Sequence, residues 1–196
     1  WQQTVETALR LAPDSLTIYQ MELPYNTVFV KTSKDIGEAT PVADWPTKRS
    51  WVDWAFDRFT EAGYSISSAY TLVRDPKEVE FAYRDMLWEG SDLVALGVAS
   101  FGHLSGIHYQ NKTHWDDYLS AIDDHQLPIG RGLVAKPRDL LIRELVLGLK
   151  KGSVDTARLT DKFGVDPVVE WSEAWTELAK QGFLEPIETT VCPQLT

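Results

Sequence analysis

Cys192 is the only cysteine in the chain, and that limits both how the fold is held and what chemistry it hosts. A single thiol forms no internal disulfide and supplies no thiolate cluster for a metal, so the fold rests on apolar burial. The composition allows this: 196 residues with 43% hydrophobic and 24% charged side chains are enough for one large domain or two small ones. No apolar run approaches the roughly 18 residues that a membrane span requires, and the opening Trp-Gln-Gln-Thr lacks the basic start and apolar core of a signal peptide. The expectation is a cytoplasmic protein. Lys+Arg at 19 against Asp+Glu at 29 gives a net charge of -10, which opposes non-specific binding to nucleic acid or anionic lipid. The chain opens on Trp1 and enters an apolar pattern at once, and it is read as a carboxyl-terminal piece of something longer.

The spacing of apolar residues predicts a helix over Val5 to Leu11, ended by Pro13 and Asp14. Ser15 to Met21 reads as a strand whose carboxyl edge holds Met21 and Glu22. Residues 31 to 46 read as a surface excursion. A helix follows over Thr47 to Ala62, its Trp51, Trp54, Ala55 and Phe59 forming an apolar stripe, with Gly63 as the stop. Tyr64 to Val73 reads as the next strand, and Glu78 to Trp88 fits a helix or an irregular link. Ser91 to Gly102 reads as an apolar strand running into small residues. Gly97, Ala99, Ser100 and Gly102 either let something bulky approach the backbone or make a tight turn against a neighbouring element. A short helix over Asp116 to Asp124 leads to Leu127-Pro128-Ile129-Gly130. Helices over Pro137 to Lys150, Thr156 to Phe163 and Val168 to Gln181, then a strand over Phe183 to Ile187, give the order of a winged-helix-like unit.

Motifs for standard chemistry are missing. There is no G-x-G-x-x-G, P-loop or G-x-S-x-G pattern. His103, His108 and His114 are not spaced to meet on one helix face, so they read as solvated or hydrogen-bonded side chains rather than as a metal site. Cys192 has nothing nearby to lower its pKa, and Asp116-Asp117 and Asp123-Asp124 read as helix-end charges. The third helix of the carboxyl-terminal module carries Glu170, Glu173 and Glu177 against Lys180, which argues against DNA recognition.

Tyr19-Gln20-Met21-Glu22-Leu23-Pro24, the stretch Tyr64 to Arg74, Asp92 to Phe101, and Tyr109-Gln110-Asn111 occur in an ordered set. They are followed by Leu140 to Lys150, Phe163-Gly164-Val165-Asp166 and Gly182-Phe183-Leu184. This set resembles the oxygen-independent coproporphyrinogen III oxidases and their radical S-adenosylmethionine (SAM) relatives over roughly residues 12 to 186. The resemblance implies an α/β fold: the carboxyl-terminal portion of a partial (β/α) barrel or its extended sheet over 1–130, then a small winged-helix-like domain over 131–196. It implies an oxidoreductase that decarboxylates propionate side chains of a tetrapyrrole in porphyrin and haem biosynthesis, using S-adenosylmethionine and a 4Fe–4S cluster. The positions matching cofactor contacts are Met21 and Phe101, with Gly97 and Ser100 as the small neighbours that let S-adenosylmethionine reach the main chain. The family's cysteine triad is absent from this chain, so the expectation is that these residues hold no metal and do not act alone. The catalytic residues and the electron donor are left unassigned. The resemblance also admits a haem chaperone or an anaerobic haem-utilisation protein of the same ancestry, and the carboxyl-terminal module admits a protein-binding adaptor.

Overall fold

The structure is a computed structural model and describes residues 1–25, 27–37 and 42–184. It divides into two compact units, Trp1–Glu80 and Phe81–Thr196, and each carries its own apolar cluster. The boundary expected near residue 130 falls within the second unit.

In the first unit α1 (Gln2–Leu11) is ended by Ala12 in the left-handed conformation. β1 (Ser15–Thr17) follows, then α2 (Val28–Asp35), α3 (Trp45–Glu61), β2 (Ser65–Ser68) and β3 (Thr71–Val73). The strands form one antiparallel sheet in the order β1-β3-β2, with Leu16 opposite Leu72 and Ser65 opposite Val73. Val5, Ile18, Ala55, Phe59, Tyr64 and Leu72 close the core between α1, α3 and the sheet. Tyr64 sets its ring edge against Phe59 at 5.4 Å between centroids and donates from its hydroxyl to Pro13 O at 2.7 Å.

Three expectations change here. The strand expected over Tyr64 to Val73 is a hairpin, because Ser68 Oγ accepts from Tyr70 N and the chain turns at 69–70 with a bulge between Ile66 and Ser68. The strand expected over Ser15 to Met21 ends at Thr17, leaving Met21 in irregular backbone. The excursion expected over 31–46 is helical as far as Asp35. Thr27 caps that helix by accepting from Val30 N, and it buries Val30 and Ser33, three residues apart. Residues 38–41 of that excursion lie outside the described residues.

The second unit begins with α4 (Ala82–Trp88), then β4 (Phe101–Leu104), β5 (Ile107–Asn111), α5 (Trp115–Asp123) and β6 (Ile129–Val134). These strands make a second antiparallel sheet in the order β4-β5-β6. Among the described residues every ladder is antiparallel, whereas a barrel portion would supply parallel pairs. The strand expected over Ser91 to Gly102 is instead an extended strap. Leu93 pairs in an isolated bridge to His103, Ala99 and Ser100 each make one backbone bond to the end of β5, and regular pairing starts at Phe101. The fold class is mixed α/β, and its sheets are small.

α6 (Pro137–Leu149), α7 (Thr156–Phe163), α8 (Pro167–Glu170) and α9 (Ser172–Lys180) complete the described chain. The single helix expected over Val168 to Gln181 is broken at Trp171, whose φ of -120° leaves the helical region. Trp175 Nε1 donates to Pro167 O at 2.9 Å across that break. Leu184 packs into the helical cluster, while residues 185–187 of the expected last strand, and Cys192, lie outside the described residues. Glu144 on α6 is buried and pairs with Arg158 at 3.2 Å and Lys162 at 2.6 Å on α7.

Leu159 is fully buried among Leu141, Leu145, Val154 and Trp175. Leu159→Ala is expected to destabilise the second unit by about 2–5 kcal/mol through lost apolar contact and an unfilled cavity, measured as a lower denaturation midpoint.

Candidate functional site

Alternation along β4, β5 and β6 decides which side chains share a face. Phe101 lies opposite Gln110, and Gln110 lies opposite Arg131. One step along the same face His103 lies opposite His108, and His108 opposite Leu133. These two rows form the front of the sheet. A recess of about 280 Å³ opens there, lined by Phe101, His108, Gln110, Arg131 and Leu133 among others.

The back of the same sheet holds the strap. Tyr109 crosses over Gly102 so closely that a Cβ on Gly102 would fall 2.3 Å from the Tyr109 ring. The Tyr109 hydroxyl thereby accepts from Ala95 N at 2.9 Å. Asn111, buried, donates from Nδ2 to Gly97 O at 2.9 Å and to Ala95 O at 3.2 Å. Gly97 N donates to the Tyr118 hydroxyl at 3.1 Å. From the front, Gln110 Nε2 donates to Ala99 O at 2.9 Å, while Ala99 N donates to Lys112 O at 2.9 Å. Ala99 is held at φ 59° and Gly97 at φ 94°. A side chain in the left-handed region costs on the order of 1 kcal/mol and persists where neighbours fix it, as these bonds do.

The small residues thus divide. Gly102 is small because Tyr109 occupies the space beside it, which answers for that residue the choice between a close-packed neighbour and an approaching ligand. Gly97 and Ser100 shape the turn, Ser100 Oγ donating to Leu96 O at 2.7 Å. Phe101 emerges from this turn with 65% of its surface exposed, at the rim of the recess. Met21 belongs to the first unit. It is also 65% exposed and lines a separate recess of about 140 Å³ with Trp1, Tyr19, Lys48 and Trp51.

Of the histidines, the structure brings together His103 and His108, Nδ1 to Nδ1 at 3.3 Å with ring centroids 4.3 Å apart. His114 stands outside this pair, at the start of α5. His103-Leu104-Ser105-Gly106-Ile107-His108 is symmetric about a two-residue turn, and a hairpin reading of that symmetry is the signal that finds the pair. Asp92 steadies the turn by accepting from Ser105 N at 2.9 Å. Burial holds the His103 pKa below the ordinary histidine value, and the Arg143 guanidinium and His108 push the same way against Asp92 and Glu144. Arg131 escaped the sequence reading, although the flanking glycines of Gly130-Arg131-Gly132 isolate it on an exposed strand. Among the described residues no group of three or more His, Cys, Asp or Glu is placed to hold a metal ion, and no helix is long and apolar enough to cross a membrane.

No protein-family model matches the chain. Among curated proteins it is similar to enzymes of one name, oxygen-independent coproporphyrinogen III oxidase. The Pseudomonas aeruginosa protein is 29% identical over 93 residues, 45% of this chain and 20% of the relative. The Helicobacter pylori protein of strain 26695 is 23% identical over 176 residues, 84% of this chain and 38% of the relative. A solved structure, coproporphyrinogen III oxidase from Escherichia coli, described as a radical SAM enzyme, matches with a TM-score of 0.72 at 18% identity. That match covers 100% of this chain and 47% of the solved one. The chain therefore spans less than half the length of each of these relatives. The resemblance read from the residues is shared by the two curated relatives and the solved structure, and the structural match shows a common fold.

Two predictions follow from the geometry. Asn111→Leu keeps the side chain's bulk but leaves Ala95 O and Gly97 O without their donor, so residues 93–100 are expected to exchange amide hydrogens at least tenfold faster, in line with about 1–3 kcal/mol per buried unsatisfied group. For His103, the unfolded chain takes up a proton near pH ~6.5 that the folded chain resists. Stability is thus expected to fall as the pH drops from about 7.5 to about 5.5, and His103→Asn is expected to flatten that decline in a denaturation series.

Proposed function

We propose that this chain supplies the carboxyl-terminal part of a radical SAM oxidoreductase of the coproporphyrinogen III oxidase type, acting on propionate side chains of a tetrapyrrole. The observation that carries the reading is the structural match across the whole chain, to a protein described as a coproporphyrinogen III oxidase and a radical SAM enzyme. The curated relatives of the same name support it. The strap and the following sheet form the surface that faces ligand, with the helical module of α6 to α9 as the winged-helix-like carboxyl-terminal domain, its boundary moved from the expected position near residue 130 to the end of β6, since β6 belongs to the sheet. On this reading the front residues of the antiparallel sheet line one side of the ligand site.

The residues present do not fit an iron–sulfur cluster. The chain has one cysteine, and no suitable donor group is gathered among the described residues. S-adenosylmethionine does fit the chemistry of the recess: an exposed aromatic face at Phe101, a cation at Arg131 and a fixed polar amide at Gln110. Gly97 and Ser100 contribute by shaping the turn that presents Phe101. In the first unit Met21 offers a flexible thioether among aromatic side chains, a surface suited to a flat heterocycle. When bound, S-adenosylmethionine supplies the oxidising chemistry that removes hydrogen from a propionate. This chain's residues bind, orient and shield the ligands.

The test is an anaerobic assay of the full-length protein after reconstitution with iron and sulfide, following loss of carboxyl groups from coproporphyrinogen III and formation of 5′-deoxyadenosine. Both products are expected, and Phe101→Ala is expected to lower turnover by about tenfold or more. Tight haem binding without decarboxylated product would replace this reading with haem delivery. A protein complex lost on deleting residues 137–185, with no tetrapyrrole binding, would replace it with an adaptor.

A further inference from the structure

We propose that Arg131 is the carboxylate-binding residue of the recess beside Phe101, held for that role by Gln110. Its ligand is an anion that joins a carboxylate to a flat heterocycle. The inference rests on the reading of the site as one for S-adenosylmethionine and a tetrapyrrole, and it adds a residue that the resemblance does not assign.

Phe101, Gln110 and Arg131 are consecutive cross-strand partners on one face. The irregularity between Gln110 and Asn111 pairs Asn111 with Ile129, so Gly130 is the extra residue of a bulge just before Arg131. Its Cβ position lies only 3.2 Å from Lys112 backbone, so glycine fits this bulge closely. Bulges of this kind re-aim the neighbouring side chain and concentrate beside binding sites.

The second step is the hydrogen-bond chain. Gln110 is buried, and both ends of its amide are used: Nε2 donates to Ala99 O, and Oε1 accepts from Arg131 Nε at 2.8 Å. That arrangement fixes which end of the amide faces the guanidinium. A guanidinium has five N–H donors, and this bond takes one, leaving the paired terminal nitrogens that match a carboxylate in bidentate fashion.

Charge supplies the third step. The chain carries 29 acidic residues against 19 basic ones, and Arg58, Arg74, Arg84, Arg138 and Arg158 find carboxylates within the protein. Arg131 makes no ion pair among the described residues. A cation immobilised by a buried neutral amide, in the same cross-strand row as an exposed aromatic ring and without an acid partner among the described residues, is arranged for an acid supplied from outside. S-adenosylmethionine and a coproporphyrin-type tetrapyrrole both carry a carboxylate and a flat heterocycle.

The experiment measures dissociation constants with the full-length protein, wild type, Arg131→Gln and Gln110→Leu, using two matched ligand pairs. One pair is S-adenosylmethionine and 5′-methylthioadenosine, which lacks the amino-acid carboxylate; the other is coproporphyrin III and its tetramethyl ester. Arg131→Gln is expected to weaken one carboxylate ligand by about tenfold or more and leave its carboxylate-free partner unchanged. The affected pair identifies the source as the amino-acid carboxylate or a propionate. Gln110→Leu is expected to weaken the same ligand by a smaller factor, and Arg131→Lys to restore part of the loss. Unchanged affinity of both acids in a folded Arg131→Gln protein overturns the inference and leaves the proposed function standing. Failure of the wild type to bind either acid overturns both.

Discussion

Two neighbouring buried amides, Gln110 and Asn111, hold the second unit's working surface in place. Successive residues of a strand point to opposite faces, so one short stretch of β5 reaches both sides of its sheet. Asn111, with Tyr109 two positions before it, ties Ala95 and Gly97 on the back. Gln110 ties Ala99 on the front. The strap is therefore fastened from both faces as it turns into β4, and Phe101 inherits its position from those bonds. Such a strap has few apolar contacts of its own, since Val94 and Leu96 are exposed. Its order depends on satisfied polar groups, and each buried amide that loses a partner leaves an uncompensated group behind.

The helical segment is organised by a different kind of interaction. Glu144 is a buried carboxylate answered by Arg158 and Lys162, and a Cβ on Gly90 would fall 2.2 Å from its Oε1. The carboxylate therefore fills the space beside the turn after α4 as well as bridging α6 to α7. A buried ion pair contributes little net stability over an apolar substitute, yet breaking one side of it is costly. It works as a register device: α7 meets α6 where both cations reach Glu144. The next residue back, Arg143, acts electrostatically on His103 and lowers its pKa, so the placement of α6 also bears on the protonation of His103.

Elements with strong period and chemical punctuation were legible in the sequence: α1, α3, α6 and α7 all stand close to their expected bounds. The errors share one cause. Ser15 to Met21, Tyr64 to Val73 and Ser91 to Gly102 were read as strands because apolar and β-branched residues cluster there, but clustering does not reveal where a chain doubles back or leaves the ladder. Ser68 turns one of them into a hairpin. In another, Tyr109 and Asn111 take the backbone groups a strand would need and give them to side chains. That competition is long range and has no local signature. The site was legible in part. Phe101 and the Tyr109-Gln110-Asn111 motif stood out by resemblance, whereas Arg131 needs the register of β6 against β5, which the residues alone do not supply.

The front row has a physical logic that is independent of any relative. An exposed phenyl ring keeps apolar surface in water, a cost of roughly 25 cal/mol per Å² that a bound apolar group recovers. An exposed arginine with no acid partner among the described residues offers its Coulomb energy to an incoming anion, and the recess wall lowers the screening that open solvent would impose. Neither group selects strongly alone. Joined through Gln110 in one cross-strand row, they require a ligand that is flat at one end and acidic at the other. The spacing between the two is set by two strand separations, about 10 Å in all, rather than by flexible loops, because adjacent strands lie about 4.8 Å apart and β5 stands between β4 and β6. On the proposed reading, a chain with one cysteine would still act on which ligand is held and in which orientation, through the side chains of this sheet.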